Sequence, residues 1–144
     1  MPRAVFDSTV LISAFLRPGG VSDELLDLTA EEAFVLLLAP EILAETTRKL
    51  LTSEKIRRRY GYSDEDVHGY ARKLAQLADP VRDLPPLAGV VRDPEDDVIV
   101  AAAVAATANY LVSRDKDLRA LGSYQGIAIL TPEVFRGLLR AGTA

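Results

Sequence analysis

The chain has 144 residues, enough to bury one sizeable core, with 17 Lys and Arg against 21 Asp and Glu and a formal net charge of −4. The absence of cysteine excludes disulfides, thiolate metal sites and cysteine nucleophiles, and the single histidine, His68, excludes a multi-histidine metal centre. An acid at position 7 arrives too early for a signal peptide, and no apolar run reaches the ~18–20 residues of a membrane span, so the expectation is a cytoplasmic protein without membrane association.

Strand and helix patterns alternate along the chain, with no low-complexity linker and no internal repeat, which reads as one domain over residues 1–144. Arg3 to Phe6 is a short buried strand, and Ser8 to Leu16 a helix ended by Pro18-Gly19-Gly20. A second helix opens at Ser22-Asp23-Glu24, and Phe34 to Ala39 is an apolar run of strand length. Pro40 suits the first turn of the following helix, whose register includes Ile42, Leu43, Leu50 and Leu51. Glu54 to Tyr60 is a basic helical stretch broken by Gly61, and Ser63 caps a helix running to about Leu77. Val81 to Leu84 is a short strand candidate. Asp93-Pro94-Glu95-Asp96-Asp97 leads into an Ala/Val-rich helix to about Ala108, apolar on nearly all sides and therefore expected to be deeply buried. A strand at Tyr110 to Ser113, a helix at Lys116 to Leu121 and a strand at Ile127 to Leu130 come next, then a helix capped by Thr131 with Pro132 at its first position. Such alternation predicts an α/β fold with a central parallel sheet of about four to five strands covered on both faces.

Four carboxylates stand where such a sheet would gather them. Asp7 follows the first strand, Glu45 lies one turn into the third helix, Asp97 opens the Ala/Val helix and Asp115 follows the Tyr110 to Ser113 strand. Ligands of open parallel sheets bind outside the carboxyl ends of the strands. Acids crowded there repel one another, and a hard cation such as Mg²⁺ or Mn²⁺ relieves the repulsion. Each acid also has a plain structural reading. Asp7 or Ser8 can be an N-cap, Glu45 a solvated helix acid, and Asp115 a cap followed by a solvated Asp117. Of the adjacent Asp96 and Asp97, the second leads directly into the buried turn and is preferred as the ligand, with Asp93 and Asp96 left to cap or solvate. Asp7, Asp97 and Asp115 are the candidate metal ligands, and Glu45 would bind a second ion or orient the attacking water. With no cysteine and the histidine distant, the nucleophile left is water activated by the metal. Despite the net negative charge, Lys49, Lys55, Arg57, Arg58 and Arg59 form a basic segment with only Glu54 against it, a candidate RNA backbone contact, with Arg17 and Arg114 as outliers.

The motifs Val5-Phe6-Asp7-Ser8-Thr9, Pro40-Glu41-Ile42-Leu43-Ala44-Glu45, Asp93-Pro94-Glu95-Asp96-Asp97-Val98-Ile99-Val100-Ala101-Ala102-Ala103 and Tyr110-Leu111-Val112-Ser113-Arg114-Asp115-Lys116-Asp117-Leu118 resemble those of PIN-domain ribonucleases. The pattern looks most like the toxin components of VapC type from toxin–antitoxin pairs. The resemblance implies a Rossmann-like PIN fold, a divalent metal and endoribonuclease activity on RNA, with an antitoxin protein as partner and a homodimeric state. It places the family's acids on Asp7, Glu45, Asp97 and Asp115, with Asp117 as an additional acid and its hydroxyl near the site on Ser113. Ser8 and Thr9 are the supporting hydroxyls of the first motif, where Val10 departs from a polar side chain. Two rival readings stay open: an aspartyl-phosphate phosphotransferase or phosphatase using Asp7 as nucleophile, and a non-catalytic interaction module on the same fold.

Overall fold

The computed structural model describes residues 1–144 and forms a six-stranded sheet in the order β3-β2-β1-β4-β6-β5. The strands are β1 (Arg3–Phe6), β2 (Val35–Leu38), β3 (Asp79–Pro80), β4 (Tyr110–Val112), β5 (Ser123–Tyr124) and β6 (Ile127–Leu130). All pairings are parallel except β5 with β6. The helices are α1 (Ser8–Leu16), α2 (Val21–Ala30), α3 (Pro40–Thr52), α4 (Glu54–Tyr60), α5 (Asp64–Leu77), α6 (Pro94–Ala105), α7 (Lys116–Leu121) and α8 (Pro132–Ala141). The mixed α/β architecture with a mostly parallel central sheet is the one the alternating pattern predicts, with one strand more.

Local signals set most helix ends. Pro40 and Pro132 occupy first turns, Thr131 accepts a hydrogen bond from the Val134 N–H, and Ser63 and Asp66 form a reciprocal capping box. Gly61 closes α4 at φ 60°, a left-handed value that a side chain would resist. Beneath the helices lies one continuous core of 31 buried residues, including Phe6, Phe34 and Phe135, whose rings meet at 5.0–6.2 Å. Burying so much apolar surface is what holds the short strands in register.

Two strand expectations need correction. Val81 to Leu84 is not a strand; the chain pairs with β2 earlier, at Asp79 and Pro80, and Asp83 at φ 59° turns it away from the sheet. Proline is tolerated there because β3 is an edge strand. The antiparallel β5 has no counterpart in the sequence pattern. It folds back on β6 through Gln125 and Gly126, both at positive φ, the geometry of a tight hairpin. The Ala/Val helix α6 ends at Ala105 and is less enclosed than expected, since Val98 and Ala105 reach solvent. No helix is long and apolar enough to cross a membrane.

The chain fills the sheet outward from β1 through β2 to β3, then returns to lay β4 on the other side of β1. The reversal point is therefore the β1–β4 boundary, where loops diverge and open a crevice at the carboxyl ends.

Candidate functional site

At that boundary Phe6 of β1 is in register with Val112 of β4, so the next residues, Asp7 and Ser113, are neighbours. Ser113 is fully buried and Asp7 is 3% exposed. The Ser113 hydroxyl donates to Asp7 Oδ2. Asp7 Oδ1 accepts from the Thr9 hydroxyl at 2.6 Å and from the Val10 N–H at 3.1 Å, so Asp7 is also the N-cap of α1. Burial pushes the Asp7 carboxyl above the ordinary carboxylate range, against the three hydrogen bonds that favour its charged form. The Ser113 hydroxyl also accepts from the Asp115 N–H at 2.9 Å, coupling the two acids through one side chain. Asp115 in turn caps α7 by accepting from the Asp117 N–H at 2.8 Å. Capping and site membership thus coexist at Asp7 and Asp115.

The first turn of α6 delivers the next acid, and here the structure separates the adjacent pair Asp96 and Asp97. Asp97 faces the preceding loop: its carboxylate accepts from the Val91 N–H at 2.8 Å and from the Gly89 N–H at 3.1 Å. Asp96 is the one that lines the acid pocket, together with Asp7, Ser8, Thr9, Glu45 and Asp115. Its Oδ2 is buried without a hydrogen-bond partner. A carboxylate oxygen of Asp96 lies within 4.8 Å of one from Asp115 and one from Asp117. Burial, then the neighbouring Asp115, then Asp93 and Asp7 push the Asp96 carboxyl up to about 8. The register of α6 alone could not rank the pair, because both acids sit on its buried side, above Ile99, Val100 and Ala101.

Glu45 reaches the same pocket from α3 and pairs with Lys49 one turn on, at 3.2 Å. Lys49, expected on an RNA-facing surface, is thus a cation of the acid pocket. Arg57 also departs from expectation. It donates to the Leu51 carbonyl at 3.0 Å, pairs with Asp64 and lies 5.4 Å from the Tyr62 ring centroid, pinning α4 to the end of α3 and the start of α5. Lys55, Arg58 and Arg59 remain exposed, Arg58 only 3.9 Å from Glu54. Sequence reasoning missed the ion pair of Arg114 with Glu133 on α8, since nothing local links positions 19 apart.

The donor set fits a hard divalent cation: oxygen ligands only, crowded like charges, and a buried carboxylate oxygen that lacks any partner. An acidic crevice at the reversal point of a parallel α/β sheet defines a class of site. A family model described as PIN domain matches residues 3–117, and the chain belongs to the PIN domain family. Members of that family are generally metal-dependent nucleases. The chain is also 30% identical over 121 residues to "Uncharacterized protein MJ1680" of Methanocaldococcus jannaschii, covering 83% of this chain and 74% of that one. Its fold is like that of a chain in the crystal structure of VapBC2 from Rickettsia felis bound to a DNA fragment from its promoter. The TM-score is 0.59 at 12% identity, over 88% of this chain and 96% of that one.

Proposed function

We propose that this chain is a metal-dependent endoribonuclease that hydrolyses RNA phosphodiester bonds with Mg²⁺ or Mn²⁺, and that it is the toxin of a cytoplasmic toxin–antitoxin pair. The observation that carries the catalytic reading is the orphaned, buried Oδ2 of Asp96 among Asp115, Asp117 and Asp7. Leaving a polar atom so placed costs about 1–3 kcal/mol, a cost that a bound cation offsets.

In this reading Asp96, Asp115 and Asp7 would hold the ion, and Asp117 would supplement them. When bound, the ion supplies Lewis acidity toward the scissile phosphate and lowers the pKa of water. Ser113 fixes the geometry by donating to Asp7 while accepting from the Asp115 N–H. Thr9 holds the other oxygen of Asp7. Glu45, across the pocket and tethered by Lys49, takes up the proton released by the attacking water. The phosphotransferase alternative is disfavoured because Thr9, and not a second acid, stands two residues after Asp7. The decisive assay is cleavage of single-stranded RNA with added Mn²⁺. EDTA abolishes it, and Asp96→Asn lowers it by about 10²-fold or more. An Asp96→Asn protein that cleaves at the wild-type rate would remove the acid pocket from the chemistry.

The toxin role draws on the likeness of fold to VapBC2. In this reading an antitoxin protein is the partner and the chain pairs with a second copy of itself. Co-expression with the adjacent reading frame, followed by sizing, tests both. A chain that stays monomeric and captures no product of that frame would keep the nuclease and discard the toxin.

A further inference from the structure

Beside the acid pocket opens a groove of about 430 Å³, walled by Thr9, Leu16, Arg17, Tyr60, Arg114 and Glu133 among others. Thr9 lines both spaces, so the groove borders the acid pocket. Its hydroxyl donates to Asp7 and accepts, at 3.4 Å, from the Arg114 N–H. The volume lies within the ~300–1000 Å³ of small-ligand clefts. Three kinds of surface meet there: the Tyr60 ring, the apolar flank of α1 at Ile12 and Leu16, and two guanidinium groups.

The guanidinium groups are not equivalent. Arg114 is neutralised by a two-pronged pair with Glu133, one contact being 3.1 Å, and that pairing holds the Glu133 carboxyl below its ordinary range. Arg17 is exposed and enters none of the ion pairs of the molecule. Tyr60 ends α4, and the Arg59 guanidinium lies 5.5 Å from its ring centroid. An aromatic ring and an uncompensated cation lining one groove, beside a carboxylate site, are the recognition chemistry of one nucleotide of a single strand. The base stacks on the aromatic face and the phosphate meets the cation. A duplex keeps its bases in the stack and cannot use such a platform.

The geometry points to a nucleotide-binding subsite in this groove, with Tyr60 stacking the base next to the scissile phosphate and Arg17 holding the backbone. This assignment rests on the nuclease reading and extends it to a residue outside the acid pocket. Tyr60 is then a specificity residue that reads the openness of the strand. Because every base has a π-face, it selects single strands over duplexes without selecting a sequence.

The test measures binding and cleavage separately. Binding of a short fluorescein-labelled oligoadenylate is followed by anisotropy in EDTA, where no cleavage occurs. Cleavage of the same oligonucleotide is followed with Mn²⁺. Tyr60→Leu, which keeps bulk without an aromatic face, weakens binding about tenfold or more, the weight of one stacked base, and raises KM more than it lowers kcat. Tyr60→Phe restores both. Arg17→Ala weakens binding and reduces the salt dependence by about one phosphate contact. Tyr60→Leu that binds and cleaves as wild type, with RNA still cleaved by the wild-type chain, overturns the subsite and leaves the nuclease standing. A wild-type chain that neither binds nor cleaves RNA overturns the nuclease reading and the subsite with it. Equal affinity for the oligoadenylate and its duplex with oligouridylate also overturns the subsite.

Discussion

The acid pocket and α4 carry comparable concentrations of charge and hold them in opposite ways. Around the pocket, Asp7, Asp96 and Asp115 are brought together from the ends of β1 and β4 and the first turn of α6, partly buried, and Asp96 keeps an oxygen with no partner. On α4, Arg57 is paired with Asp64 and stacked beside Tyr62, while Lys55, Arg58 and Arg59 point into water. Solvated charges on a helix cost little and contribute little. Like charges collected from distant segments and buried cost stability, so their persistence calls for something that neutralises them. Repulsion that a proton or a cation must relieve, rather than the number of charges, therefore marks where this molecule handles a ligand. The same criterion divides neighbours within each region: Asp96 from Asp97, and Arg57 from Arg58.

The largest effect expected from that division concerns Asp97. Replacing it by Ala removes two hydrogen bonds to the Gly89 and Val91 N–H groups, and stability falls by about 2–3 kcal/mol. Faster amide exchange at Val91 is the accompanying local sign. If Asp97→Ala instead raises the metal-free melting temperature, Asp97 shares the repulsion and the separation from Asp96 collapses.

A smaller contrast separates the arginines. Arg57→Ala loses its bonds to the Leu51 carbonyl and to Asp64 and costs about 1–2 kcal/mol. Arg58→Ala, whose nearest acid is 3.9 Å away in the open, changes stability by less than about 0.5 kcal/mol. Paired denaturant curves give both values. Equal losses would mean that α4 is held by its charges as a group.

The smallest effect is a pH dependence of the metal-free protein. With the Asp96 carboxyl raised to about 8, the folded state binds more protons than the unfolded one between roughly pH 4 and 8. Stability is therefore lost as pH rises through that window. Asp96→Asn removes the burden, so its melting temperature at pH 8 exceeds wild type by about 2–4 °C, and the gain fades by pH 4. A difference that does not vary with pH would show that Asp96 is not strained by its neighbours.

Local rules in the sequence were enough for most of the elements and for the placement of three acids at the crevice. Pro40, Ser63, Thr131 and Pro132 mark helix starts through their own backbone geometry, and Gly61 marks an end. Asp7, Glu45 and Asp115 follow from their places at strand exits and one turn into a helix, and all three line the pocket. What tertiary structure alone decided involves partners far along the chain or loops that double back. Asp96 rather than Asp97 enters the pocket because the 89–91 loop supplies N–H groups to Asp97. Lys49 and Arg57 are paired with Glu45 and Asp64, which the sequence did not indicate. The short strands β3 and β5 exist only by pairing with β2 and β6. Hydrophobic period and capping are encoded within a few residues. The assignment of a charge to its partner is fixed only when the packed core sets their distance, since electrostatic preference within a pair of adjacent acids is otherwise equal.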